Sequence, residues 1–128
     1  MIWHLALIDD WTATHADDEY RVSTRGMTLE QVGFIHCSRP HQIEGVATRF
    51  YDDCDEVLLL QIDPDRVGSP IIDEPPAPGI DELFPHIYGP LPRAAVTRIG
   101  LWQRSAAGWT LGQAGPENTP EWSDPALA

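Results

Sequence analysis

Two short runs carry most of the side chains that can do chemistry: Gly33-Phe34-Ile35-His36-Cys37-Ser38 and Phe84-Pro85-His86-Ile87-Tyr88-Gly89-Pro90-Leu91. Both read as strands. Residues two apart on a strand share a face, which pairs His36 with Ser38 and His86 with Tyr88. Two such faces from one sheet can converge on one cleft. An imidazole there can act as a base, or bind an anionic or ribose-like ligand near neutral pH. A plainer role is also open to each group. His36 can pack in a polar pocket, Ser38 can cap the helix that follows, and His86 with Tyr88 can belong to an aromatic-rich strand between prolines. His4 is a third imidazole, on the first expected strand, and serves either function or a satisfied core.

The carboxylates sort by neighbourhood. Asp9-Asp10, Asp17-Asp18-Glu19 and Asp52-Asp53 read as helix caps and solvated turns. Glu74 and Glu82 flank the loop leading to the second run, where a single carboxylate can reach a cleft. Metal ligation is not expected, since HxH, HExxH and CxxC spacings are missing and alternation sends Cys37 to the face opposite His36. A serine hydrolase lacks its GxSxG elbow, and a Cys37 nucleophile needs a base on its own face. Cys37 and Cys54 read as reduced thiols.

Charge narrows the partners. The formal net charge is −12, and all eight basic residues are arginine. Such a field repels phosphate backbones, so bulk nucleic-acid binding is not expected. Lysine nucleophiles and Schiff bases are excluded. An anion site must use arginine, histidine or backbone amides, with Arg21, Arg39 and Arg49 the candidates. Arg49 would meet a phosphate or pair with Asp52 or Asp53.

The elements that must position these groups follow from the patterning. Ile2 to Ile8 predicts a strand with apolar faces Ile2, His4, Ala6, Ile8 and Trp3, Leu5, Leu7, as in a central strand covered on both sides. Asp9 and Asp10 predict the cap of a short helix reaching about His15. Thr28-Leu29-Glu30-Gln31 has the form of a capping box. Ser38, ahead of Arg39-Pro40, starts the clearest helix, with Ile43, Val46, Ala47 and Phe50 on one stripe. Glu56 to Ile62 is a buried strand stopped by Asp63-Pro64. Ala95 to Gln103 and Trp109-Thr110-Leu111 form a hairpin. Residues 1–112 read as one domain and 113–128 as a polar tail rich in Gly and Pro, docked through Trp122. With 128 residues, 42% of them hydrophobic, the chain can bury a sizeable core without staples. No apolar run approaches the length of a spanning helix, and a cytoplasmic setting is the expectation; the oligomeric state is left open.

The ordered set of Met1-Ile2-Trp3-His4, Gly33 to Ser38, Val46-Ala47-Thr48-Arg49-Phe50-Tyr51, Leu58-Leu59-Leu60-Gln61-Ile62-Asp63 and Glu82 to Leu91 resembles the bacterial domain-of-unknown-function family 952, over about residues 1–102. That resemblance implies an α+β domain of the ADP-ribosyltransferase type, a split mixed β-structure with a few flanking helices around a dinucleotide cleft. It implies a first-strand His or Arg, which His4 matches, and a His, Tyr or Ser on a later strand, which His36 or Ser38 matches. The late Glu of that superfamily has no clear match: His86 and Tyr88 stand there, with Glu82 and Glu74 nearby. The pattern is closer to the branch that uses histidines and arginines, as RNA 2′-phosphotransferases do, without their basic surface. The implied ligand is nucleotide-like, NAD as ligand or substrate, with ribose-transfer chemistry. His4, His36 and His86 would be its catalytic groups, and Ser38, Tyr88, Arg49, Glu82 and Glu74 its binding groups. The rival reading is a non-catalytic module that senses a small molecule or binds a protein.

Overall fold

Val57-Leu58-Leu59-Leu60 has no polar alternation, so whatever sheet holds it must be covered on both faces. The computed structural model, which describes residues 1–16, 19–106, 108–111 and 122–123, shows how. Strand β6 (Glu56–Ile62) lies between β1 (Ile2–Ala6) and β10 (Val96–Ser105), with β11 (Gly108–Leu111) beyond β10. Leu58, Leu60 and Ile62 join Ile2, Ala6 and Ile99 in one core layer. Val57 and Leu59 join Leu5 and Trp102 in the other, under helix α3 (Ile43–Phe50). Such unbroken apolar runs are commoner in parallel sheets; here the sheet is antiparallel, with a core on each side. Truncating one of these leucines to alanine costs about 2–5 kcal/mol.

The remaining strands are short. They are β2 (Glu19–Tyr20), β3 (Val22–Thr24), β4 (Met27–Thr28), β5 (Ile35–His36), β7 (Ile71–Glu74), β8 (Phe84–Ile87), β9 (Leu91–Pro92) and β12 (Trp122–Ser123). A second sheet runs β5-β8-β7, and β2 pairs with β9 and β3 with β4. The result is an α+β fold of several antiparallel sheets with three short helices. Every strand pairing among the described residues is antiparallel, where the family resemblance implies a mixed β-structure. The two larger sheets are tied by a bridge between Trp3 and Ser38: Trp3 N–H donates to the Ser38 carbonyl at 2.9 Å and Ser38 N–H to the Trp3 carbonyl at 2.7 Å. Strand β1 therefore ends its sheet instead of lying at its centre, although both its faces are covered.

Local chemistry explains the helices. Thr28 Oγ1 accepts from Gln31 N–H at 3.2 Å, and Gln31 Oε1 accepts from Thr28 N–H at 2.8 Å. This closes the expected capping box on α2 (Leu29–Val32). Gly33, at φ +100°, ends that turn in the left-handed conformation and turns the chain into β5. Two caps differ from expectation. Helix α1 (Ile8–Thr12) starts after Leu7, which gives it no side-chain cap, so Asp9 and Asp10 sit inside its first turn. Ser38 does not cap: its backbone is committed to the bridge with Trp3, and Arg39 is the N-cap of a 3-10 turn, Pro40–Gln42, that leads into α3. Gln42 satisfies that end, its Oε1 accepting from Arg39 N–H at 2.9 Å. The hairpin β10–β11 forms as expected. Residues 113–121 and 124–128 of the proposed tail lie outside the described residues; Trp122 and Ser123 pair with Gly100 and Ile99 of β10. Among the described residues, no helix is long and apolar enough to cross a membrane.

Candidate functional site

The three-stranded sheet lines up its polar groups by register. His36 on β5 stands directly opposite His86 on β8, and Glu74 on β7 lies two residues from Ile72, the other cross-strand neighbour of His86. Side chains of one sheet face therefore meet in a row. His36 Nδ1 is 3.1 Å from His86 Nε2, and His86 Nδ1 is 2.9 Å from Glu74 Oε1. The Tyr88 hydroxyl donates to the same carboxylate oxygen. Phe34 stacks on His86, with ring centroids 3.9 Å apart and planes 11° apart.

These partners assign the tautomers. The donors from Tyr88 and His86 hold the Glu74 carboxyl below its usual range, so Glu74 is an acceptor and His86 carries its proton on Nδ1. His86 Nε2 then accepts from His36 Nδ1–H, which leaves the lone pair of His36 on Nε2. That nitrogen is buried with no hydrogen-bond partner among the described residues. Burial first, then His86, His4 and Arg49, lower the His36 pKa from 6.5 to about 3, so the ring is neutral near pH 7.

His36 lines a pocket of about 260 Å³ whose apolar walls come from Phe34, Phe50, Phe84 and Ile80. Arg49, on α3, is exposed and lines the same pocket. Arg21, Arg25, Arg39, Arg66 and Arg104 are each within ion-pair distance of a carboxylate. Asp53 is held by Arg25 and Asp52 lies beside Arg104, which leaves Arg49 without a carboxylate partner among the described residues. Ser23, 0% exposed and with its hydroxyl unpaired, lines this pocket and a small recess of about 10 Å³ shared with His4, His36 and Ser38.

The other expected site residues fall into place around this arrangement. His4 touches the cluster from behind: its Nδ1–H donates to the His36 carbonyl at 2.7 Å, and its Nε2 accepts from the Tyr20 hydroxyl at 2.8 Å. Both nitrogens are occupied, and burial lowers its pKa to about 4. His86 is 0% exposed, and its nitrogens are likewise both engaged. Of these three imidazoles, His36 alone has a ring nitrogen without a partner among the described residues. Ser38 lines the recess, while Tyr88 and Glu74 stand behind His86. Glu82 belongs elsewhere: its carboxylate accepts from Gln42 Nε2 at 3.0 Å, and it lines a neighbouring depression of about 200 Å³ with His41, Gln42 and Arg49. Sequence reasoning missed Phe34, Ser23 and the pocket-lining role of Phe50. Phe34 sits in the His36 run, two residues before it, and that same-face spacing was its available signal. Cys37 and Cys54 are free thiols; burial raises the Cys37 pKa, which makes it a poor nucleophile. No cluster of three or more metal-ligating side chains occurs among the described residues.

The sequence profile of a family described as "Protein of unknown function (DUF952)" matches residues 6–99. The chain is a DUF952 protein. The matched span holds His36, Glu74, His86 and Arg49, and begins after His4. The DUF952 domain is similar to protein CC0527 from Caulobacter crescentus. Two crystal structures of that protein, one of a double mutant, match with a TM-score of 0.70 at 26% identity, over 84% of this chain and 90% of that one. Its solution NMR structure matches with a TM-score of 0.67 over 84% and 89%. A search of curated proteins found no match.

Proposed function

We propose that this DUF952 domain binds a nucleotide-like small molecule in the Phe34–Phe50–Phe84 pocket, with NAD the candidate ligand and ribose-directed chemistry, such as ADP-ribosyl transfer, the candidate activity. The observation that carries the reading is that one apolar pocket holds both His36, whose buried Nε2 has no partner among the described residues, and Arg49, which has no carboxylate partner among them. Aromatic walls take a base or a nicotinamide ring. Arg49 offers a guanidinium to phosphate. His36 faces the position a ribose hydroxyl would take. A volume of about 260 Å³ suits one ring-and-ribose unit, and the remainder of a dinucleotide would extend past Arg49 into the adjoining depression of about 200 Å³. The ADP-ribosyltransferase type of fold is part of the same proposal. Its support is a β-structure divided between two larger sheets, with a histidine on the first strand and a pocket walled by both β5 and α3.

The test is an NMR titration of labelled protein with NAD. Saturable shifts at His36, and at the amides of Arg49 and Phe50, support the reading, and nicotinamide release then separates an enzyme from a sensor. No shift at millimolar NAD rejects the dinucleotide. His36→Ala should abolish the shifts while leaving a cooperative fold; loss of the fold instead would make His36 a core residue.

A further inference from the structure

We propose that Tyr88, Glu74, His86 and His36 form a hydrogen-bond relay across the small sheet, which holds Nε2 of His36 as the acceptor for a hydroxyl-bearing ring bound in the pocket. The reading above is needed only to place a ligand beside His36. The relay itself rests on geometry. Its links converge on Glu74: Tyr88 O–H and His86 Nδ1–H both donate to that carboxylate, and His36 Nδ1–H donates to His86 Nε2 at 3.1 Å. The far end is an sp² nitrogen that is buried and without a partner among the described residues, in a side chain that lines the pocket and is only 8% exposed. A buried acceptor without a donor requires an explanation, and a ligand O–H supplies one.

The ligand O–H bond stays intact: burial keeps the His36 ring neutral, and the ligand hydroxyl donates to its Nε2. The Nδ1–H bond to His86, whose other nitrogen faces the Glu74 carboxylate, fixes that tautomer. Glu74, His86 and Tyr88 are positioning residues, since only His36 among them lines the pocket. The chemical class is a small aromatic or heteroaromatic ring with a hydroxyl, because three phenylalanines stand in the walls and the polar groups include the His36 acceptor, the Arg49 cation and the Ser23 hydroxyl.

Phenol is the probe, with anisole as its hydroxyl-free control. Ring-nitrogen NMR of the unliganded protein should find His36 protonated on Nδ1 and bare on Nε2. Phenol should bind saturably and move the Nε2 resonance of His36, and anisole should bind without moving it. Glu74→Gln removes the negative end of the relay; it should weaken phenol about tenfold and leave anisole unchanged. A His36 protonated on Nε2 in the wild type overturns the proposal and requires no variant. So does phenol that does not bind, or a Glu74→Gln protein that loses phenol and anisole alike. A positive phenol result with no NAD binding would sink the nucleotide reading and keep the relay.

Discussion

His86 can be replaced in two ways that separate its polar work from its packing. The ring is fully buried, is stacked on Phe34, and is bonded to a buried partner on one side and a partly exposed one on the other. His86→Phe keeps the volume and the stack but strands the Nδ1–H of His36. Leaving one buried donor unmatched costs about 1–3 kcal/mol, while Glu74 can turn to solvent. His86→Ala adds a cavity and the lost ring stack, worth about 0.5–1.5 kcal/mol, for a total of about 3–5 kcal/mol. Urea unfolding followed by tryptophan fluorescence measures both, and an unchanged m-value would show that the unfolded state is comparable. The expected order is wild type, then Phe, then Ala, with roughly half the loss in each step. A His86→Phe protein as stable as wild type would refute the reasoning, since the His36–His86 bond would then contribute nothing.

Further outcomes follow from the same structure. His36 and His4 have pKa values lowered by burial to about 3 and about 4, so the unfolded chain binds more protons below pH 6.5. Stability should be fully present above that pH and fall toward pH 4, by up to about 1.4 kcal/mol per pH unit for each group. The titratable and charged groups facing His36 are His86, His4 and Arg49, and His4→Gln should flatten the slope in urea titrations at a series of pH values. Thr28→Ala removes one half of the capping box and should cost about 1 kcal/mol by thermal unfolding. Gly89→Ala would place a Cβ 2.7 Å from Ser69 Cβ. It should destabilise the end of the small sheet, and Ser69→Gly should recover much of the loss, an effect read by paired melting curves. Arg49→Gln should change stability by under about 0.5 kcal/mol while weakening any phosphate-bearing ligand in a binding titration.

Much of the frame was legible because it is local. The faces of Ile2 to Ala6, the apolar run of β6, the capping box at Thr28 and the hairpin at Trp102 and Trp109 all depend on neighbours a few residues apart. The stripe of α3 was legible too, yet Phe50 faces the pocket and not the core, which periodicity cannot distinguish. The site was legible in part. Alternation put His86 and Tyr88 on one face, and they meet at one oxygen of Glu74. Choosing Glu74 over Glu82 depends on the register of β7 on β8 and on Gln42, which holds Glu82 elsewhere. Ser38 misled for a related reason. A serine before Arg-Pro reads as a cap, but a strand 35 residues earlier in the chain takes its backbone. The Tyr20–His4 contact and the His36–His86 bond span 16 and 50 positions, which no local pattern encodes.

Among the described residues the bridge between Trp3 and Ser38 gives the two larger sheets two shared backbone hydrogen bonds; the rest of their attachment is packing, with Ile35 and Ile87 in one core with Ile2, Leu60 and Ile99, and that division sets how the molecule breathes. The five-stranded sheet, with its core on each face, should form the slowest-exchanging amides. The β5-β8-β7 unit should open as a separate cooperative block at lower free energy. The amides of Trp3 and Ser38 would then exchange with the smaller block, and the contact of His4 with the His36 carbonyl would come and go with it. A ligand seated against His36 would slow the exchange of that block alone, leaving a signature of occupancy readable before any chemistry is known.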